Sequence, residues 1–194
     1  MDAFDESPQL FVTDAAAQAA ENLLEGVNRP FALLNPGASK IAKRWPAGRF
    51  AQLADHLHRE VEFDVVMTGS PGESELLAEI AAAATVPITN LAARGVTLSS
   101  LKAVAARASV MITNDTGPRH IAAALGTPLV TLFGPTDPRW TTLPDVSEHR
   151  VVAEPFLLEE LVADDHPKAC DIERIRVGDV LHAVQALLAS GSAT

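Results

Sequence analysis

The sequence holds one cysteine, Cys170, so no disulfide can close within the chain, which fits a reducing compartment. Cations are scarce too. Fifteen Lys and Arg stand against 25 Asp and Glu, a formal charge of −10, and an average field of that sign repels DNA, RNA and anionic lipid. Nucleic acid is therefore not an expected partner. The opening MDAFDESPQL has acids where a secretory leader has bases, and no apolar h-region follows it. The longest uncharged stretch, Ile121 to Thr136, is 16 residues and is interrupted by Gly126, Pro128, Gly134 and Pro135, too short to span a bilayer. These absences point to the cytoplasm. Internal repeats are missing, as are the GxGxxG and GxxxxGK[ST] phosphate fingerprints. His166 and Cys170, four apart, lack the further ligands that a metal site needs.

What is present is an ordinary globular balance, 47% apolar and 21% charged over 194 residues. Residues 1–28 read as a polar tail and a lead-in helix, with Thr13 as cap and Gly26 as stop, and residues 29–194 read as the main domain. Short apolar runs bounded by turns predict buried strands at Phe31–Leu34, Phe63–Thr68, Val110–Thr113 and Leu129–Phe133, with a weaker one near Ile88. Helical spacing lies between them, at Arg49–Glu60, Glu73–Ala84, Ser99–Arg107 and Pro118–Leu125. Val180, Val184, Leu187 and Leu188 share one side of a terminal helix over Val177–Ala189. Alternating strands and helices predict an α/β fold with a doubly wound, mostly parallel, Rossmann-like sheet. The last third is less regular, and 158–165 reads as a solvated acidic face.

In such sheets ligands bind beyond the carboxyl ends of the strands, so the loops that follow strands are the candidates for chemistry. In NPGASKIAKRWP, small residues let a ligand approach the backbone and Ser39 offers a hydroxyl. Lys43 or Arg44 can meet phosphate oxygens in a run, 40–49, that has four cations and no acid; a solvated basic turn is the plainer alternative. In TGSPGES, Ser70 and Glu73 fit a helix capping box, and Glu73 also suits a ligand hydroxyl such as a ribose. In NDTGPRH, Pro118 suits the first position of a helix whose positive end accepts a diphosphate. Asp115 and Thr116 add side-chain contacts there or simply cap the helix, and His120 falls in its first turn. FGPTDPRW is dense in turn formers, and Thr136 and Asp137 are candidates of lower weight.

Taken in order, NPGAS, KRWP with Phe50 after it, VVMTGSPGE, NLAARGVTLSSLKAVAARA, NDTGPRHIAAALGTPLVTLFGPTDP and Trp140 resemble glycosyltransferase family 9, the heptosyltransferases of lipopolysaccharide core assembly. The resemblance implies the C-terminal, nucleotide-sugar-binding half of a two-domain GT-B fold, working at the inner face of the membrane. It implies that Ser39 and Lys43 contact the diphosphate, Glu73 the nucleotide ribose, and Asp115, Thr116, Gly117 and His120 the phosphates and sugar. The implied donor is ADP-heptose, the acceptor a lipopolysaccharide core or lipid A precursor, with no cofactor and no bound metal. The family's catalytic base is an aspartate of the N-terminal domain, for which this sequence offers no counterpart, so no catalytic residue is assigned and a separate N-terminal domain is a candidate partner. Two other functions stay open: a noncatalytic nucleotide-sugar-binding or interaction module, and a GT-B enzyme of UDP-sugars such as an epimerase.

Overall fold

The computed structural model describes residues 10–143, 146–153 and 170–191; the acidic run at 158–165 and His166 lie outside the described residues. Six strands form one sheet in the order β3-β2-β1-β4-β5-β6, and every neighbouring pair is parallel. They are β1 (Phe31–Asn35), β2 (Asp64–Met67), β3 (Ile88–Asn90), β4 (Val110–Asn114), β5 (Leu129–Phe133) and β6 (Glu148–Val152). The helices are α1 (Asp14–Leu23), α2 (Ala47–Arg59), α3 (Ser74–Ala83), α4 (Leu98–Ala105), α5 (Gly117–Ala124) and α6 (Val177–Gly191). This is the doubly wound architecture that the alternating pattern predicts.

The strands are apolar throughout because both faces of the sheet are covered. In β1, Ala32 and Leu34 enter a core under α2, α3 and α6, while Phe31 and Leu33 enter a second core under α1, α4 and α5. Phe50, Leu53, Ala54 and Leu57 of α2 recur at helical spacing and are all fully buried; each of the larger side chains contributes about 2 kcal/mol by leaving water. The lead-in helix packs on this body. Thr13 Oγ1 caps it by accepting from Ala16 N at 3.2 Å, Gly26 turns the chain out of it at φ +84°, and Arg94 Nη1 donates to the carbonyls of Leu23 and Glu25, each at 2.8 Å.

One strand has no counterpart in the sequence reading. β6 opens Glu148-His149-Arg150, a charged start that resembles a loop, yet it pairs with β5 from Leu129↔Glu148 to Phe133↔Val152. Helix α6 then returns over β6 and α2, burying Val180, Ala183 and Val184. Cys170 is buried.

Candidate functional site

Strand order reverses between β1 and β4, and a crevice opens outside the carboxyl ends of strands at such a switch point. The cleft there has a volume of about 480 Å³ and is walled by the loops that follow β1, β2, β3 and β4. Ser39, Glu73, Thr116 and Gly117, from three loops distant in sequence, stand in its wall.

The loop after β1 is fixed by Asn114, Asn35 and Trp45, to which sequence reasoning gave no role, and by Arg44, which it offered to phosphate oxygens. Asn114, fully buried at the end of β4, donates from Nδ2 to the carbonyls of Pro36 (2.8 Å) and Gly37 (3.2 Å) and accepts from Trp45 N at 3.3 Å. Asn35 reaches the other way, donating to Thr113 Oγ1 at 3.0 Å and Thr116 Oγ1 at 3.2 Å. Arg44 Nε closes the loop on Ala38 O at 2.9 Å, so Arg44 braces the turn. Trp45 anchors its far end, edge-on to Phe50 with ring centroids 5.0 Å apart and Nε1 donating to Ile175 O at 2.9 Å. Arg49 Nη1 donates to the carbonyls of Glu173 and Ile175 beside it.

Glu73 serves the capping box that its spacing suggests. Its Oε2 accepts from Ser70 N at 2.7 Å and Ser70 Oγ at 2.8 Å. The box fixes the carboxylate without using it up, since Oε1 has no protein partner among the described residues and lies against Gly37 at the cleft wall. A carboxylate held this way accepts hydrogen bonds from a ligand hydroxyl at little cost in side-chain entropy.

Opposite, α5 presents its amino end to the cleft, and no side chain caps it: Thr116, at the cap position, donates to Asn114 O at 3.3 Å instead. An uncapped helix start with its dipole directed outward is suited to an anion. Beside it Lys43 Nζ lies 3.8 Å from Asp115 Oδ2, with the lysine side chain 18% and the carboxylate 8% exposed. His120 is on the exposed surface of α5's first turn, outside the cleft wall. The loop after β5 also stays outside that wall: Asp137 is turned onto Arg139, which holds its carboxyl below the usual range, and Thr136 Oγ1 is buried without a protein partner among the described residues.

Behind Asp115 lies the fully buried guanidinium of Arg119, whose Nε and Nη2 donate to the two oxygens of Glu148 at 2.6 and 3.0 Å. Burial pushes the Glu148 carboxyl up, but hydrogen bonds from Arg119, Thr131 and Arg150 outweigh it and hold the group below the ordinary carboxylate range. Among the described residues no cluster of three His, Cys, Asp or Glu side chains is arranged to hold a metal ion, and no helix is long and apolar enough to cross a membrane.

The family model for glycosyltransferase family 9 (heptosyltransferase) matches residues 2–156. The chain belongs to glycosyltransferase family 9. Lipopolysaccharide heptosyltransferase 3 of Escherichia coli is 39% identical over 115 residues, covering 58% of this chain and 33% of the relative. Lipopolysaccharide heptosyltransferase 2 of Escherichia coli strain K12 is 36% identical over 140 residues, covering 69% and 40%. Among solved structures, the ADP-heptose lps heptosyltransferase II of E. coli superposes with a TM-score of 0.78 at 30% identity over 95% of this chain and 54% of that one. The glycosyl transferase family 9 structure from Veillonella parvula shares the fold, with a TM-score of 0.79 at 21% identity. This family 9 chain thus spans 33% to 40% of the length of those curated relatives and about half of the solved chains.

Proposed function

We propose that this family 9 domain binds ADP-heptose, or a closely similar nucleotide sugar, as the donor for transfer to a lipopolysaccharide core or lipid A precursor. The observation that carries this reading is the switch-point cleft, whose wall holds an uncapped helix start and a fixed carboxylate, Glu73, while Lys43 pairs with Asp115, the residue just before that helix start and, like Lys43, outside the wall itself. These groups suit a nucleoside diphosphate: Glu73 Oε1 accepts from the ribose hydroxyls, while Ser39, Lys43, Thr116 and the Gly117 amide hold the diphosphate. Asp115 meets a sugar hydroxyl, since a carboxylate has no attraction for phosphate oxygens, and His120 meets the part of the ligand that extends past α5.

In the transfer, an acceptor hydroxyl oxygen forms a bond to the anomeric carbon as the bond from that carbon to the β-phosphate oxygen breaks. The acceptor proton passes to a base outside the described residues. The departing ADP gains negative charge, and the ammonium of Lys43 with the α5 dipole stabilises it more strongly than it does the bound donor.

Titration calorimetry with ADP, ADP-heptose and UDP tests the reading. Binding of the two adenine nucleotides in preference to UDP is expected, as is a loss of at least about tenfold in affinity for Lys43→Ala, the equivalent of one charge-assisted contact. Absence of heat with all three ligands would overturn it, and preference for UDP would redirect it to UDP-sugar enzymes.

A further inference from the structure

Arg119 has no place in the ligand contacts above, and its position calls for a cause. A guanidinium with no exposed surface is rare and costly, and this one sits in the first turn of α5, where the helix dipole disfavours a cation. An apolar side chain would fill the same space between α5 and the sheet at lower cost. The network that stabilises Arg119 is complete on one side only. Glu148 takes Nε and Nη2 in fork geometry and is itself bound by Thr131 Oγ1 at 2.5 Å and Arg150 Nε at 2.9 Å, while the Phe133 ring lies 5.2 Å from the guanidinium carbon. Arg119 is therefore immobile. Its remaining nitrogen, Nη1, reaches Asp115 Oδ1 at 3.4 Å, and Asp115 Oδ2 in turn meets Lys43.

The order of these charges runs Glu148, Arg119, Asp115, Lys43, from a fully enclosed end to a partly exposed one. A diphosphate entering the cleft draws Lys43 away from Asp115 and sets new negative charge beside that carboxylate. With no cation behind it, the Asp115 carboxylate would rotate away. We infer that Arg119 is a positioning residue of the donor site: anchored by Glu148, it keeps the Asp115 carboxylate in place after Lys43 has moved to the diphosphate. The inference rests on the nucleotide-sugar reading and adds to it a residue that touches no ligand.

Removing Arg119 alone strands Glu148, so the informative variants are paired. Arg119→Gln with Glu148→Gln lets two neutral amides bond each other, and Arg119→Met with Glu148→Met fills the space without polar groups; either serves if the other fails to fold. Arg119→Lys keeps the charge. Thermal unfolding establishes folding, calorimetry gives affinities for ADP and ADP-heptose, and crystal structures of the ligand-free variants place Asp115. In a folded paired variant Asp115 leaves its position, and ADP-heptose affinity falls by about tenfold or more while ADP affinity falls less. Arg119→Lys restores most of the ADP-heptose affinity. An unmoved Asp115 in a paired variant, or ADP-heptose affinity unchanged there, overturns the inference and leaves the nucleotide-sugar reading standing. Failure of lysine to restore affinity in a folded variant marks the effect as packing and overturns it too. A parent chain that binds neither nucleotide overturns the reading itself, whereas the position of Asp115 still decides whether Arg119 holds it.

Discussion

Gly37 and Glu73 approach so closely that a methyl group built on Gly37 would fall 2.0 Å from Oε1 of the Glu73 carboxylate. The atom in the way is the tip of a flexible side chain, so Gly37→Ala is relieved by swinging the carboxylate out. The fold loses little, about 1 kcal/mol, near the centre of the range for single substitutions. The site loses much, because the displaced carboxylate gives up Ser70 and its place at the cleft wall. Expected outcomes are a nearly unchanged melting temperature and an affinity for ADP reduced by about tenfold, a 1.4 kcal/mol effect. Calorimetry beside differential scanning calorimetry checks both, and an alanine variant that binds ADP as the parent does removes Glu73 from the ligand contacts.

Asn114 gives a second, opposite case, in which the fold suffers as much as the site. It bridges the end of β4 to three backbone groups of the loop after β1 from a fully buried position. Asn114→Leu leaves the carbonyls of Pro36 and Gly37 without a donor and costs about 2 kcal/mol. Asn114→Asp sets a buried carboxylate against two carbonyl oxygens and costs more at neutral pH. Its destabilisation is partly relieved on acidification, because protonation restores a donor and removes the charge. Urea midpoints at pH 7 and pH 5 report the order, and an aspartate variant whose deficit does not shrink at pH 5 contradicts the assigned donor.

What the sequence makes legible follows the range of the interactions. β1, β2, β4 and β5 read correctly because a strand covered on both faces writes its burial into consecutive apolar residues. Ser39, Glu73, Thr116 and Gly117 are visible as residues that follow strands, and the capping box linking Ser70 to Glu73 is local. The supports of the site are not local. Asn35 and Asn114 find their partners 69 to 81 positions away, and Arg119 finds Glu148 29 positions away. β6 is hidden for the same reason: its first residue is an acid whose burial makes sense only once Arg119 is placed behind it. His120 shows the limit from the other side, since local spacing puts it in the first turn of α5 but does not say which way that turn faces.

Glu148 ties the stability of the fold to pH. Burial raises its carboxyl, and the donors Arg119, Thr131 and Arg150 more than reverse this, so the folded-state value lies below the unfolded one of about 4.3. A depressed acid stabilises fully above its unfolded value, and that contribution drains away as pH falls toward the folded one. Asp55, Asp137 and Asp179 are lowered as well, so the parent chain loses stability in acid for several reasons at once. The difference between the parent and Glu148→Gln isolates this one. At pH 7 the glutamine variant is expected to be less stable by about 3 kcal/mol, since Arg119 is then buried with Asp115 as its only carboxylate among the described residues. As pH falls below about 4.3 toward the folded-state value the two curves converge, because the parent progressively protonates the group that the variant lacks. Thermal unfolding at constant ionic strength between pH 3 and pH 7 measures the gap, and a gap of constant width across that range would show that Glu148 titrates alike in the folded and unfolded chain, which contradicts the lowered carboxyl.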